Sequence, residues 1–339
     1  MRTLSVHPVT VVFRTALDQG LIGLQRQLRT VLPEGSLVID GGATLEHTTP
    51  DARPPRLVHA DVIEAGVIRA RRVFGDPVVR FAAFLDGTQS SHVVAYAEGA
   101  PLVLGTVAAV VRLRRNRRMT TWQRPKIERR LYACLRVLTP EQRRALDALE
   151  IDVIDTTPAS GDPAGHPFTL RDEAVHRVQA HREKAEQSLA ELWCHHEHEP
   201  LFIDGGISGS EKVAIADCTV GVVKSHRTLY AEGDALQTIF HLHRGERSSV
   251  FRVTSPKRIP VASWYLRLRD AAGHDPMWGL VRVEIALPAR TDASTIGARA
   301  DEVSRWILAE ATPLAMPDAR WDKMVYGIRD CEEFLRAVT

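Results

Sequence analysis

The chain has 339 residues, of which 44% are hydrophobic and 25% are charged, and its formal net charge at pH 7 is +2. This composition is that of an ordinary globular protein, and the length allows one large domain or two smaller ones. The small net charge excludes a general polycation, so any nucleic-acid site has to come from local basic patches.

Cysteine usage and hydropathy favour a reducing compartment, and we expect a cytoplasmic protein. The four cysteines are scattered without a Cys-x-x-Cys pair, which argues against a disulfide framework. The N-terminal residues lack the apolar core of a signal peptide, and no segment approaches the roughly 20 apolar residues of a membrane helix. The sequence therefore predicts no membrane partner.

Residues 1–75 are predicted to form an N-terminal extension with one helix and one strand. Apolar residues recur at helical spacing over 10–32, and a proline ends that pattern. The apolar run from Leu37 stops at Asp40 before two glycines. Because a proline- and threonine-rich loop comes next, we expect Asp40 to be a turn residue.

An antiparallel meander is predicted next. The apolar run over 78–86 ends at Asp86 and a glycine, and further strands are predicted over 92–97 and 101–112 with a hairpin turn between them. We therefore expect Asp86 at the end of the first strand of the meander. The third strand leads into an arginine cluster over 112–118.

Helices are predicted to dominate the middle of the chain. Residues 123–150 are predicted to be mostly helical with a basic start, residues 155–167 form a loop, and residues 170–195 carry a helical apolar stripe. A buried strand from Leu201 then ends at Asp204, again before two glycines.

The C-terminal part is predicted to contain three strands and two helices. The strands cover 249–254, 262–268 and 278–287, and the helices cover about 295–311 and 329–338.

The order of these elements resembles a ribonuclease H-like core, in which the first strand carries one acidic residue and a later parallel strand carries another beside it. We therefore expect an α/β fold with a mixed sheet flanked by helices and with N-terminal and C-terminal helical additions. Residues 76–339 would form this domain, with a helical insertion at about 120–195.

Asp86 and Asp204 are the candidate metal ligands. Both follow apolar strands, and the rim of an α/β sheet is where ligands bind. Carboxylate oxygens suit Mn²⁺ or Mg²⁺, and two such ions clamp the attacking and leaving oxygens of a phosphodiester. For each aspartate alone, a plain strand and turn is the alternative.

A third ligand is predicted on the helix over 170–195. Helical geometry places Glu186 beside the apolar stripe and Glu183 further toward solvent. We prefer Glu186, and Glu183 stays open as the alternative. Lys224 follows a short apolar strand and is predicted to hold a phosphate and to stabilise the transition state electrostatically.

Basic residues around Trp122 form one predicted zone for DNA. Its arginine density favours contact with the phosphate backbone, and the aromatic ring favours stacking on a base; a solvated basic loop is the alternative. The predicted DNA contacts are Arg114, Arg115, Arg117, Arg118, Lys126 and Arg227.

With these motifs in place, the chain resembles a NurA-domain nuclease over about 78–338. The resemblance rests on Asp86, on Asp204 and on the segment 220–225. It also rests on the strand 279–284, which resembles the family's late Arg-Val-Glu strand, and on a closing segment that begins at 320.

The resemblance implies Mn²⁺-dependent cleavage of single- and double-stranded DNA, as a 5′-to-3′ exonuclease and as an endonuclease. It implies a homodimer with a central DNA channel and a partnership with a hexameric HerA/FtsK-type DNA-translocating ATPase, in DNA end processing or anti-phage defence. By position, Asp86 and Asp204 match metal ligands, Glu186 or Glu183 matches the helix glutamate, and Tyr326 matches the late tyrosine.

The chain departs from the family pattern near its end. Gly327 follows Tyr326 where the family has a proline, and no histidine follows His274, which leaves Asp330 or Glu332 as its substitute. This departure motivates an alternative, a non-catalytic adaptor of the same fold that binds DNA and the ATPase. A different ribonuclease H-like nuclease is a third possibility.

Overall fold

The computed structural model describes residues 9–34, 36–44, 54–158, 165–288, 292–311 and 323–339, apart from the side chains of 9–19 and 40–44. The helices are α1 (Val9–Val31), α2 (Pro140–Asp147), α3 (Pro167–His196), α4 (Glu211–Ala214), α5 (Gly233–Phe240), α6 (Ala293–Glu310) and α7 (Tyr326–Val338). The strands are β1 (Leu37–Thr44), β2 (Arg56–Leu57), β3 (Asp61–Val62), β4 (Ala70–Arg72), β5 (Ala83–Ala97), β6 (Ala100–Arg115), β7 (Arg118–Ala133), β8 (Val153–Asp155), β9 (Leu201–Asp204), β10 (Thr219–Val223), β11 (Thr228–Leu229), β12 (Glu246–Ser248), β13 (Phe251–Val253), β14 (Val261–Arg267) and β15 (Leu280–Ala286).

A 13-stranded mixed sheet organises the described part of the chain. Strands β5, β6 and β7 form an antiparallel meander. Strand β9 lies parallel to β5 on the other side, and β10 lies parallel to β9. Strands β15, β14 and β13 extend the sheet beyond β10 with antiparallel pairings. The general α/β expectation, a mixed sheet flanked by helices, is confirmed.

Helices cover both faces of the central strands. Because successive strand side chains point to opposite faces, β5 contributes Phe84 to one core and Leu85 to the other. The Phe84 core includes apolar residues of α6 and α7, and the Leu85 core includes apolar residues of α3. Asp86 and Gly87 continue this alternation, so the two neighbours approach different helices.

The structure corrects the predicted meander, because the strands predicted over 78–86 and 92–97 are one strand, β5, and the third strand of the observed meander is β7. Asp86 lies inside a strand because β5 continues through Gly87 to Ala97, and β6 pairs with it along this length, with Asp86 opposite Val110. Asp-Gly is thus part of a strand here and not a turn. The hairpin turn at Glu98 and Gly99 is confirmed, with φ angles of 48° and 90°.

The predicted helix over 123–150 is wrong. Strand β7 occupies the region to Ala133, because its backbone pairs with β6 and this pairing outweighs the local helical pattern. Only α2 is an α-helix in that interval, and its capping box joins Thr139 and Gln142. The helices at 10–32 and 170–195 are confirmed as α1 and α3, and the later strands and helices agree with the prediction to within a few residues.

Two predicted features lie partly outside the described residues. These are the loop over 155–167 and the closing segment from 320. The turn predicted at Asp40 is wrong, because β1 runs through this residue to Thr44, and the side chain of Asp40 lies outside the described residues. Among the described helices, none is long and apolar enough to cross a membrane.

Candidate active site

Asp86 and Asp204 lie side by side on parallel strands. Leu85 of β5 is in register with Ile203 of β9, so the next residue on each strand is an aspartate. Asp86 is 7% exposed, and one of its carboxylate oxygens accepts a hydrogen bond of 2.8 Å from the Gly87 amide. The sheet thus brings the two predicted ligands together at the end of β9.

Helix α3 brings a third carboxylate to the pair. Glu186 lies directly over Gly87, because a Cβ atom at Gly87 would come within 2.3 Å of Glu186 Oε1. Glu183, one turn earlier, is exposed and accepts a hydrogen bond of 3.1 Å from Gln179. Glu186 is therefore nearer to the strand aspartates than Glu183 is, as the helical spacing predicts.

Two basic side chains neutralise part of this acidic cluster. Lys224 Nζ lies 2.7 Å from Asp204 Oδ2. Arg182 Nη1 lies 2.5 Å from Glu186 Oε1, and its Nε donates to Gln89 at 3.1 Å. Lys224 was predicted to be near the acidic pair, whereas Arg182 was missed, although it stands one turn before Glu186 on the same helix.

Burial favours the protonated form of two of the three carboxyl groups, those of Asp86 and Glu186. It raises the pKa of Asp86 well above its ordinary value, and the neighbouring charge of Asp204 adds to the rise. Burial also raises the pKa of Glu186 to about 7, although the Arg182 guanidinium opposes that rise. Protonation reduces the repulsion between these neighbouring carboxylates, and a bound cation would reduce the same repulsion.

Glu186 lines a second hollow, whereas Asp86 and Asp204 face a cleft of about 780 Å³, which we call the acidic cleft. Its lining includes Asp86, Asp204 and Lys224, and α7 adds Glu332 and Arg336. Sequence reasoning named Glu332 only as a substitute for the family's missing histidine, and it missed Arg336. The two residues lie one turn apart on α7, so helical spacing could have indicated that they face the same side.

A second hollow of about 440 Å³ adjoins the first, and we call it the glycine-loop pocket. It is bounded by the loop 205–210 that follows β9, by α3 and by Lys257 and Arg258. Arg182, Asp204 and Gly205 line both hollows. The two spaces therefore meet beside the acidic cluster.

The donor set fits a hard divalent ion, since carboxylate oxygens are the ligands that Mn²⁺ and Mg²⁺ prefer. The side chains are turned toward their basic partners, however, and in the described ranges no group of three or more His, Cys, Asp or Glu side chains is arranged to coordinate a metal. Ion binding would require the carboxylates of Asp204 and Glu186 to exchange Lys224 and Arg182 for the ion.

Tyr326 lies outside the lining of both hollows and is 46% exposed at the first residue of α7. The residue after it has little space, because a Cβ atom at Gly327 would come within 2.3 Å of the Phe84 ring. Residue 327 therefore has a packing reason to be glycine. The role predicted for Tyr326 stays a prediction.

The predicted basic zone does not form one surface. Arg115, Arg117 and Arg118 are exposed at the β6–β7 turn, five residues along β6 from Val110, the partner of Asp86. At about 3.3 Å per residue this turn lies ~17 Å from the acidic cluster along the strand. It is also at the end of the sheet away from the cleft.

The other predicted DNA contacts have different surroundings. Arg114 binds the Glu310 carboxylate at 2.7 Å, Lys126 donates to Ser188 on α3, and Arg227 is exposed after β10. The predicted stacking of a base on Trp122 is wrong, because that ring is 8% exposed and packs against Trp193.

Comparison with protein-family models finds no match for the chain, and comparison with curated proteins finds no matching sequence.

Proposed function

We propose that the protein is a metal-dependent deoxyribonuclease that cuts single- and double-stranded DNA. The observation that carries the proposal is the convergence of Asp86, Glu186 and Asp204 where β9 ends beside β5, next to Lys224 and Arg182. Grouped buried carboxylates beside phosphate-binding cations are the arrangement that phosphodiester hydrolysis with divalent ions requires.

The strand order supports a ribonuclease H-like core. Strands β7, β6 and β5 form the meander, β9 and β10 continue the sheet in parallel, and α3 comes between the two sets along the chain. The NurA assignment, the homodimer and the HerA/FtsK-type ATPase partner belong to this proposal and rest on the motif resemblance.

Asp86, Asp204 and Glu186 would hold Mn²⁺ or Mg²⁺. The bound ion would make a coordinated water more acidic and neutralise charge on the phosphate. Lys224, once its ammonium is shared with a phosphate oxygen, would stabilise the negative charge that develops during hydrolysis. Arg182 borders both hollows and can bind a phosphate oxygen with two donors, so it is suited to position the strand.

One observation favours a second candidate, a non-catalytic adaptor that binds DNA and an ATPase. Asp204 and Glu186 already have basic partners within 2.7 Å, so the cluster is partly neutralised without an ion. A protein that had lost catalysis would keep such internal pairs for stability.

Cleavage of end-labelled linear duplex and single-stranded DNA tests the proposal. The wild type, Asp86→Asn, Asp204→Asn and the control Asp152→Asn would each be incubated with Mn²⁺, Mg²⁺ or EDTA, with and without a HerA-type ATPase. Asp152 is a suitable control because its carboxylate is 80% exposed on the far side of β7.

We expect metal-dependent cutting by the wild type and by Asp152→Asn, and a loss of at least ~100-fold in the two cleft variants, since each removes a charged ligand. Cutting that persists in both cleft variants would contradict the proposed site. Absence of cutting under every condition, together with DNA or ATPase binding, would establish the adaptor instead.

A further inference from the structure

The glycine-loop pocket has the size and lining of a small-ligand site. Its volume of about 440 Å³ lies within the range of such sites. Apolar side chains form part of the lining, and hydroxyl, amide and charged groups form the rest. The apolar members are Ala190, Ile203, Ile207 and Val213.

The loop that bounds the pocket is held firmly in place. Gly205 has a φ angle of 134°, which favours glycine, and a Cβ atom at Gly206 would come within 2.9 Å of Glu284 Oε2. The same Glu284 oxygen accepts a 2.9 Å hydrogen bond from the Ile207 amide inside the protein. The pocket is therefore preformed on this side.

Two cations stand at the edge of the pocket. Lys257 and Arg258 belong to a turn that the Ile259 amide ties to the Ser208 carbonyl of the glycine loop at 3.0 Å. Lys257 has a φ angle of 61°, an uncommon conformation for a lysine, and Arg258 Nη1 would lie 3.5 Å from a Cβ atom at Gly209. Both side chains are exposed and line the pocket.

The remaining charged side chains of the pocket each have an ion-pair or hydrogen-bond partner. Arg182 binds Glu186, and Asp204 binds Lys224 from the acidic cleft. Glu183 accepts a hydrogen bond from Gln179. Positive charge thus concentrates where Lys257 and Arg258 lie, opposite the acidic cluster.

We propose that the glycine-loop pocket binds one nucleotide of the DNA strand, next to the phosphate that is cut. The sugar and base would lie against the apolar lining, and the flanking phosphate would bind Lys257 and Arg258. This inference rests on the proposed nuclease function. The shared boundary at Arg182, Asp204 and Gly205 would place the scissile phosphate where the two hollows meet.

Binding measured without divalent metal tests this inference apart from catalysis. The probes are deoxyadenosine 5′-monophosphate, deoxyadenosine, inorganic phosphate and a single-stranded oligonucleotide, titrated calorimetrically. The variants are Lys257→Gly and Arg258→Gln, with Arg252→Gln as the control. Arg252 is an exposed cation that pairs with Asp61 at 3.3 Å and does not line the pocket.

Lys257→Gly is a useful variant because it removes the cation and also relieves the unfavourable φ angle. The folded protein should then be at least as stable as the wild type, so a loss of binding cannot be attributed to unfolding. We expect each pocket variant to weaken mononucleotide and oligonucleotide binding about tenfold, while Arg252→Gln has no effect.

Some results would overturn the inference. The first is that the wild type and the pocket variants bind the mononucleotide equally well. The second is that the wild type does not bind the mononucleotide at all. The third is that inorganic phosphate binds as tightly as the mononucleotide does. If the wild type and the pocket variants cut DNA with the same KM for DNA, this inference fails and the proposed nuclease function stands. If the pocket variants lose nucleotide binding and the wild type never cuts DNA, the nuclease function fails instead.

Discussion

Gly87 of β5 and Glu186 of α3 are in direct contact, and the contact leaves no space for a side chain at residue 87. A Cβ atom there would come within 2.3 Å of Glu186 Oε1 and 2.8 Å of Glu186 Cγ. The glycine therefore allows the third carboxylate to approach the strand that carries Asp86.

Gly87→Ala should displace the Glu186 carboxylate. We expect a loss of about 1–3 kcal/mol in the free energy of unfolding, as for other overpacked sites, and a marked loss of metal-dependent cleavage. Urea denaturation and the cleavage assay measure the two effects. Gly23→Ala is the control, because a Cβ atom there would have no neighbour within 4 Å and the residue lines neither hollow. Equal behaviour of the two variants would contradict the close packing of Glu186.

Glu186 should make the stability depend on pH. Burial raises its pKa from 4.5 to about 7, so the folded state holds this proton more tightly than the unfolded state does. The stabilisation is present below pH 4.5 and is lost as pH rises through about 7, by about 3 kcal/mol at most. Denaturation of the wild type, Glu186→Gln and Glu183→Gln between these pH values measures it.

Glu186→Gln should flatten this pH dependence, and Glu183→Gln should reduce it only slightly, because the Glu183 charge is the smallest contribution to the raised pKa of Glu186. Part of the slope should remain in Glu186→Gln, because burial also raises the pKa of Asp86. An unchanged slope in Glu186→Gln would show that this carboxyl group ionises normally in the folded protein.

The Lys224–Asp204 ion pair should stabilise the fold. Both side chains are mostly buried, at 22% and 19% exposure. Removing only the lysine would leave Asp204 without its cation, so Lys224→Met should cost about 1–3 kcal/mol, and Asp204→Asn should recover part of that in the double variant.

A double-mutant cycle measures the coupling between these residues. The exposed pair Arg252–Asp61 provides a control cycle, in which we expect less than about 1 kcal/mol. Coupling that is equally small in the Lys224–Asp204 cycle would mean that the ammonium does not neutralise Asp204.

Cys218 should be the most reactive of the four cysteines. The hydrogen bond from Cys194 lowers its pKa, and the side chain is partly exposed, whereas Cys134 and Cys331 are buried. Iodoacetamide followed by peptide mass spectrometry should label Cys218 first, and Cys194→Ala should slow that labelling. Faster labelling of Cys134 or Cys331 would contradict this local structure.

The three carboxylates of the candidate site could be predicted from the sequence, but most of the basic residues and loops around them could not. Asp86 and Asp204 could be paired in advance, because each follows an apolar run and a parallel pairing of those runs brings them together. Glu186 was preferred to Glu183 because of its position relative to the apolar stripe of α3. These inferences used local patterns and one rule about parallel strands.

What the sequence did not reveal depends on pairing between distant segments. Strand β7 was mistaken for a helix because its basic residues do not alternate clearly with apolar ones, and β6 provides its stabilising partner. Lys257 reaches the site only through the turn that Ile259 ties to the glycine loop. Arg114 was predicted to contact DNA because its partner, Glu310, lies 196 residues away in the sequence and local patterns do not reveal the pair.

Titration of the metal-free protein with Mn²⁺, followed by electron paramagnetic resonance, tests most directly whether Asp86, Glu186 and Asp204 form one cation site. We predict that the wild type and Asp152→Asn bind Mn²⁺, and that Asp86→Asn and Asp204→Asn each weaken the binding at least tenfold, by about 1.4 kcal/mol or more. Unchanged Mn²⁺ affinity in both cleft variants would contradict the account.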